Sequence, residues 1–132
     1  MSWSRFGIFV NQYISGGDVT PEHFPPEPPE DIRSVDEYRF DRNIQGLEAL
    51  KLLAEAGLEI ARPRATDRYL SEHPEAQERS SLIGAGVSRQ PSGRTLLVQF
   101  TRHGRSRGAV YTINARDLIF EGVTLLVSPK EA

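Results

Sequence analysis

Residues 100–113, "FTRHGRSRGAVYTI", set Arg102, His103, Arg105 and Arg107 between two segments of alternating polarity, with no acidic residue among them. A guanidinium presents a planar fork of donors that fits phosphate or carboxylate and stacks on bases, and an imidazole exchanges protons near neutral pH. Two kinds of chemistry follow. As a binding element, Arg102, Arg105 and Arg107 at a hairpin tip would engage a nucleic-acid backbone or an acidic protein surface. As a catalytic element, His103 would act as general acid or base beside Thr101 and Thr112, with the arginines stabilising a phosphorane-like transition state. That is the need of a metal-independent, toxin-like ribonuclease, and Glu121 would add a base if the last strand lies alongside. The plain alternative is a solvated hairpin whose arginines protect a sheet edge.

The cationic character extends beyond the tip. Between Glu78 and Asp117 there is no acid, while Arg79, Arg89, Arg94, Arg102, Arg105, Arg107 and Arg116 supply seven bases, none of them lysine. Arg94, Arg102, His103, Arg105, Arg107 and Arg116 are therefore the candidate partner-binding residues, and His103 is the one candidate catalytic group. The formal net charge of −2 argues against coating nucleic acid by bulk electrostatics, so the negative charge must lie elsewhere. Some of it lies in residues 20–31, where five prolines between positions 21 and 29 alternate with Glu22, Glu27, Glu30 and Asp31. Proline fixes φ and removes donors, so this piece reads as an extended surface arm. Its charge is opposite to that of the arginine patch, over which it would fold when no partner is present.

Other chemistries fall away on residue types and spacing. The chain has no cysteine, which excludes disulfides, thiolate zinc sites and cysteine nucleophiles. His23, His73 and His103 have no metal-ligand spacing, so neither a metal nor a cofactor is expected. "GAG" at 84–86 lacks the third glycine of a dinucleotide loop and reads as a flexible connection. No Gly-Lys-Ser/Thr phosphate loop or serine elbow occurs. "MSWSRFGIFVNQYI" is too short for a membrane span and too polar for a signal peptide, so the expected location is cytoplasmic, with no membrane contact.

The elements that must position these groups are read from periodicity. At 132 residues one domain is expected, residues 1–132. "RFGIFVNQYI" (5–14) is β-branched and aromatic, which predicts a strand, with Trp3 and Phe6 packing in the core or at an edge. Residues 34–57 show apolar positions at helical spacing, with Ser34 and Glu37 as a capping box for an early turn and Gly57 as a stop. "LEIA" (58–61) predicts a short strand against that helix. "ATDRYLSEH" (65–73) and "PEAQERSSLIGAG" (74–86) each predict a helix start, with Thr66 as a cap and Pro74 in a first turn. From Arg94 to Val127 the period becomes two, predicting antiparallel strands. A loop at 104–107 pairs 103 with 108, 100 with 111 and 98 with 113, placing Val98, Phe100, Tyr111 and Ile113 on one buried face.

The resulting fold class is α+β: a mostly antiparallel sheet ending in a hairpin or meander, packed by one main helix and one or two short ones. The leading functional expectation is a small non-catalytic binding protein. The ribonuclease-type domain is one alternative, and an inhibitor or immunity-type protein that blocks a macromolecular machine is another. A winged-helix DNA-binding regulator is the last, with 64–73 as recognition helix through Arg64, Arg68 and Tyr69 and residues 96–113 as wing.

Overall fold

The period-two half of the chain does form antiparallel strands, but it builds the centre of a sheet covered on both faces. The structure, a computed structural model, describes residues 2–102 and 109–130. Strands β1 (Tyr13–Ile14), β2 (Asp36–Tyr38), β4 (Leu58–Ile60), β5 (Leu82–Arg89), β6 (Thr95–Phe100), β7 (Ala109–Asn114) and β9 (Thr124–Pro129) form a seven-stranded sheet. Its order is β1-β7-β6-β5-β9-β2, with β4 also paired to β9. The β1–β7 and β5–β9 pairings are parallel and the others antiparallel. Strands β3 (Ile44–Gln45) and β8 (Leu118–Ile119) pair separately. Helices α1 (Gly46–Glu55), α2 (Pro63–Glu72) and α3 (Glu75–Arg79) complete an α+β domain.

One face packs Leu82, Leu96, Val98, Phe100, Val110 and Leu126 against α2, α3 and the N-terminal segment through Trp3, Phe9, Phe24, Leu70 and Ala76. The other packs Ile83, Leu97, Leu125 and Val127 against α1 and the β3–β8 pair through Ala49, Leu53, Ile44 and Ile119. A strand buried on both sides carries apolar residues at successive positions, and "TLLVQF" in β6 does so.

That double burial overturns the expected hairpin register. Phe100 pairs with Val110 and Val98 with Thr112, one residue from the expected 100–111 and 98–113 partners. Tyr111 and Ile113 therefore lie on the face opposite Phe100. Thr101 closes the ladder, its amide donating to the Ala109 carbonyl at 2.9 Å and its hydroxyl accepting from the Ala109 amide at 2.8 Å. With apolar residues on both faces, either register buries hydrophobic side chains, so alternation alone does not select one.

Other expectations give way for similar reasons. Of residues 5–14 only Tyr13–Ile14 is strand; Trp3–Phe6 is a 3₁₀ turn that buries Trp3. Asp36–Tyr38 pairs with β9 where an early helical turn was expected, and the main helix begins only at Gly46. Gly57 does stop that helix, with φ +76°. "SLIGAG", expected to connect or to continue a helix, instead enters the central strand β5. Thr66 lies inside α2 rather than capping it, and Pro74 is the residue just before α3.

Candidate partner-binding groove

Strand β5 begins between β6 and β9 and then parts from β9 at an irregularity. Between Gly84 and Val87 its register shifts, with Ala85 at φ +61° and Gly86 at φ +85°. Left-handed backbone is costly for a residue with a Cβ, so Ala85 must be held there. Thr66 holds it. Its hydroxyl, fully buried, accepts from the Ala85 amide at 2.9 Å and donates to the Ala61 carbonyl at 3.1 Å. The Gly86 amide reaches the same carbonyl at 2.8 Å. Gly84 has no Cβ because one would stand 2.9 Å from Thr66 Cγ2. Thr66→Val keeps the shape and removes both bonds, so it should lower stability by about 1–3 kcal/mol in urea unfolding, with Thr66→Ser intermediate. A valine variant as stable as wild type would show that the bulge stands without the hydroxyl.

Beyond that bulge the sheet forks. Strand β4 stays with β9, pairing Leu58 with Pro129 and Ile60 with Val127, while β5 stays with β6, pairing Val87 with Leu97 and Arg89 with Thr95. The fork is a groove of about 570 Å³. Leu50, Leu53 and Ala54 of α1 wall it on one side and the Phe24–Pro28 segment on the other, with Leu58, Ile60, Ala85 and Val87 along its length. Its polar lining is Glu27, Glu59, Arg62, Arg89 and Lys130.

The proline-rich segment is fastened as one wall of this groove. Phe24 is buried and its carbonyl accepts from Trp3 Nε1 at 3.2 Å. The Glu27 carboxylate, only 4% exposed, accepts the Arg64 amide at 2.6 Å and the Ala65 amide at 3.1 Å. Pro63 opens α2 without an N–H, so these are the first free donors of the helix, and a carboxylate at that end also meets the positive end of the dipole. Arg64 Nε returns a bond to the Glu27 carbonyl at 2.8 Å. Glu27 is therefore a buried helix cap. It is not part of a loose acidic arm lying over the arginine hairpin.

The structure also regroups the sequence-singled arginines. Arg102 follows β6 at one end, its Nε donating to the Glu78 carbonyl at 2.6 Å and its amide to Ser81 Oγ at 3.2 Å. His103, Arg105 and Arg107 lie outside the described residues. Arg94 and Arg116 sit at the opposite end of β6, about 26 Å from Arg102 at ~3.3 Å per residue. Arg94 there pairs with Asp18 at 3.7 Å. Arg89 pairs with Thr95, so it joins them at that end, and Lys130 follows β9, which runs parallel to β5. Thus Arg89, Arg94, Arg116 and Lys130 gather at the forked end of the sheet.

Charge balance inside the groove is incomplete. Arg62 Nε stands 3.8 Å from Glu59 Oε1, too long for a hydrogen bond. That oxygen is buried and accepts none among the described residues. Arg89 and Lys130 have no carboxylate partner among the described residues. No protein-family model, curated protein or solved structure matches the chain.

The other singled-out groups are engaged within the chain. Arg68 donates to the Arg33 carbonyl at 3.0 Å and pairs with Glu72 at 3.7 Å. The Tyr69 hydroxyl donates to Glu37, which also pairs with Arg79 at 3.1 Å. Burial first, and that bond second, push the Tyr69 phenol well above its ordinary range. The exposed face expected of a recognition helix is spent on these contacts. Asp67 accepts the Phe9 amide at 2.8 Å, holding Phe9 at φ +53°, and burial raises its pKa. Glu121 follows β8, its amide bonded to Asn43 Oδ1 at 2.8 Å. The last strand lies beside β2, β4 and β5, not beside β7, so the premise that would bring Glu121 to the hairpin fails. Among the described residues no three His, Cys, Asp or Glu side chains could hold a metal ion, and no helix is long and apolar enough to cross a membrane.

Sequence reasoning counted Arg89 among the seven bases without singling it out, and it missed Lys130, Glu59 and Arg62. The local signal for the fork was "GAG" inside an apolar run, where glycines in a strand mark a bulge.

Proposed function

We propose that this chain is a small non-catalytic binding protein whose partner is an acidic protein surface. The observation that carries the reading is the pair Arg89 and Lys130, two cations that line one groove and have no carboxylate partner among the described residues. Long-range charge steers encounter, and the apolar lining from Leu50, Leu58 and Val87 supplies the water-excluded contact that makes it specific. A protein partner is favoured over nucleic acid because much of the groove lining is aliphatic, and because among the described residues it offers no exposed aromatic on which a base could stack. Arg102, which follows β6 at the end away from the fork, would add a second area of contact for the same class of partner.

The test is fluorescence anisotropy with labelled acidic peptides, single-stranded RNA and duplex DNA at several salt concentrations. Acidic peptides should bind, affinity should fall as salt rises, and Arg89→Glu with Lys130→Glu should weaken binding on the order of tenfold or more. Tighter binding of RNA or DNA than of any acidic peptide, or a double variant with unchanged affinity, would overturn the proposal.

A further inference from the structure

The fork leaves two strand edges facing each other. In β4, the Gly57 carbonyl accepts from Lys130 and the Ala61 amide donates to Leu126, so the odd-numbered peptide groups point to β9. Alternation then turns the peptide groups of Leu58 and Ile60 away from β9, into the fork. In β5, the Gln90 amide donates to the Arg94 carbonyl across the hairpin, which aims the even-numbered groups at β6. The peptide groups of Val87 and Arg89 then face the fork from the other side. Among the described residues no strand pairs with either edge.

Unpaired edges inside a walled groove invite pairing with another chain. The wall beside them is built so as not to do this itself. Pro25, Pro26 and Pro28 carry no N–H, and the Glu27 carbonyl is already taken by Arg64. A proline-rich wall thus closes the groove laterally and leaves both edges free.

Resting on the acidic-partner reading above, we infer that the fork accepts an extended acidic segment of a partner protein by strand addition, its backbone pairing with Val87–Arg89 or Leu58–Ile60. Alternate side chains of such a segment point to opposite faces. Apolar ones meet Leu50, Leu58 and Val87 on the α1 side, acidic ones on the other side meet Lys130, and Arg89, on the α1 side, meets an acidic residue where the segment leaves the groove. The buried Glu59 Oε1, which accepts no hydrogen bond among the described residues, accepts an N–H from the incoming chain.

The probe is a labelled ten-residue peptide of alternating glutamate and valine, compared with the same peptide carrying N-methyl groups on alternate amides. The charge of the two is equal, but only the first offers a full set of backbone donors. Anisotropy gives affinity, and amide hydrogen exchange followed by NMR gives protection residue by residue. The unmethylated peptide should bind at least about tenfold more tightly, and the Val87 and Arg89 or the Leu58 and Ile60 amides should exchange at least about tenfold more slowly in its presence. Equal affinity of the two peptides, or binding without slowed exchange at these amides, overturns strand addition and leaves the acidic-partner reading standing. Failure of both peptides to bind at low salt overturns the two together.

Discussion

Gly46→Ala is expected to destabilise the protein by about 3–4 kcal/mol, combining backbone overpacking with the loss of two hydrogen bonds. On an open helix the same change would stabilise by up to about 1 kcal/mol, because glycine is the poorer helix former. Here the sign reverses. A Cβ at position 46 would stand 2.7 Å from the Ala115 carbonyl oxygen and 2.9 Å from Ala115 Cα, both backbone atoms. Moving α1 away is not a free escape, since the Gly46 amide is bonded to the Asp117 carbonyl at 3.0 Å and the Leu47 amide to the Ala115 carbonyl at 2.8 Å. These bonds join the first turn of α1 to the turn between β7 and β8. Relief of the clash therefore breaks the seam that covers one face of the sheet. Urea unfolding measures the cost, which is a large part of a typical domain's 5–15 kcal/mol. A variant within about 0.5 kcal/mol of wild type would show that the helix shifts freely.

Glu27→Ala is expected to cost about 2–4 kcal/mol, because it strands two helix donors in a buried place and removes a charge from the helix N-terminus. Among the described residues the Arg64 and Ala65 amides meet this carboxylate, and the residue before the helix offers no side-chain cap. Glu27→Gln keeps one acceptor oxygen and should fall between. Glu30→Ala, on the same segment but exposed, should change stability by less than about 0.5 kcal/mol. The loss should also carry over to binding, since Glu27 fastens the wall of the groove: acidic-peptide affinity should fall in Glu27→Ala even where urea curves show the protein folded. If Glu27→Ala and Glu30→Ala behave alike, the cap assigned to Glu27 is wrong.

The two substitutions bear on how far the sequence could be read. Glu27 looked like one acid of four in a proline-rich surface segment, because nothing local distinguishes it from Glu22 or Glu30. Its role depends on α2, whose first residue is a proline 36 positions later in the chain. The arginines show the same limit from the other side. In sequence they fill a stretch without acids, yet Glu37 and Asp18 approach Arg79 and Arg94 from elsewhere in the chain. Among the described residues a smaller set has no carboxylate partner, and Lys130, distant in the chain, joins Arg89 in it at the forked end of the sheet.

Local chemistry alone determined the fold class, the helical character of residues 46–55, the stop at Gly57, the strands after Arg94 and the absence of thiol chemistry. These follow from side-chain period, backbone freedom and residue type, which act over a few neighbouring positions. Tertiary structure decided the hairpin register, because both faces of the central strands are apolar and either alternation would bury a core. It also made "GAG" a bulge by aiming the Thr66 hydroxyl at Ala85, and it opened between β4 and β5 the fork in which Arg89 and Lys130 meet. The bulge and the fork rest on contacts between residues 19 to 41 positions apart, whose pairing no local period encodes.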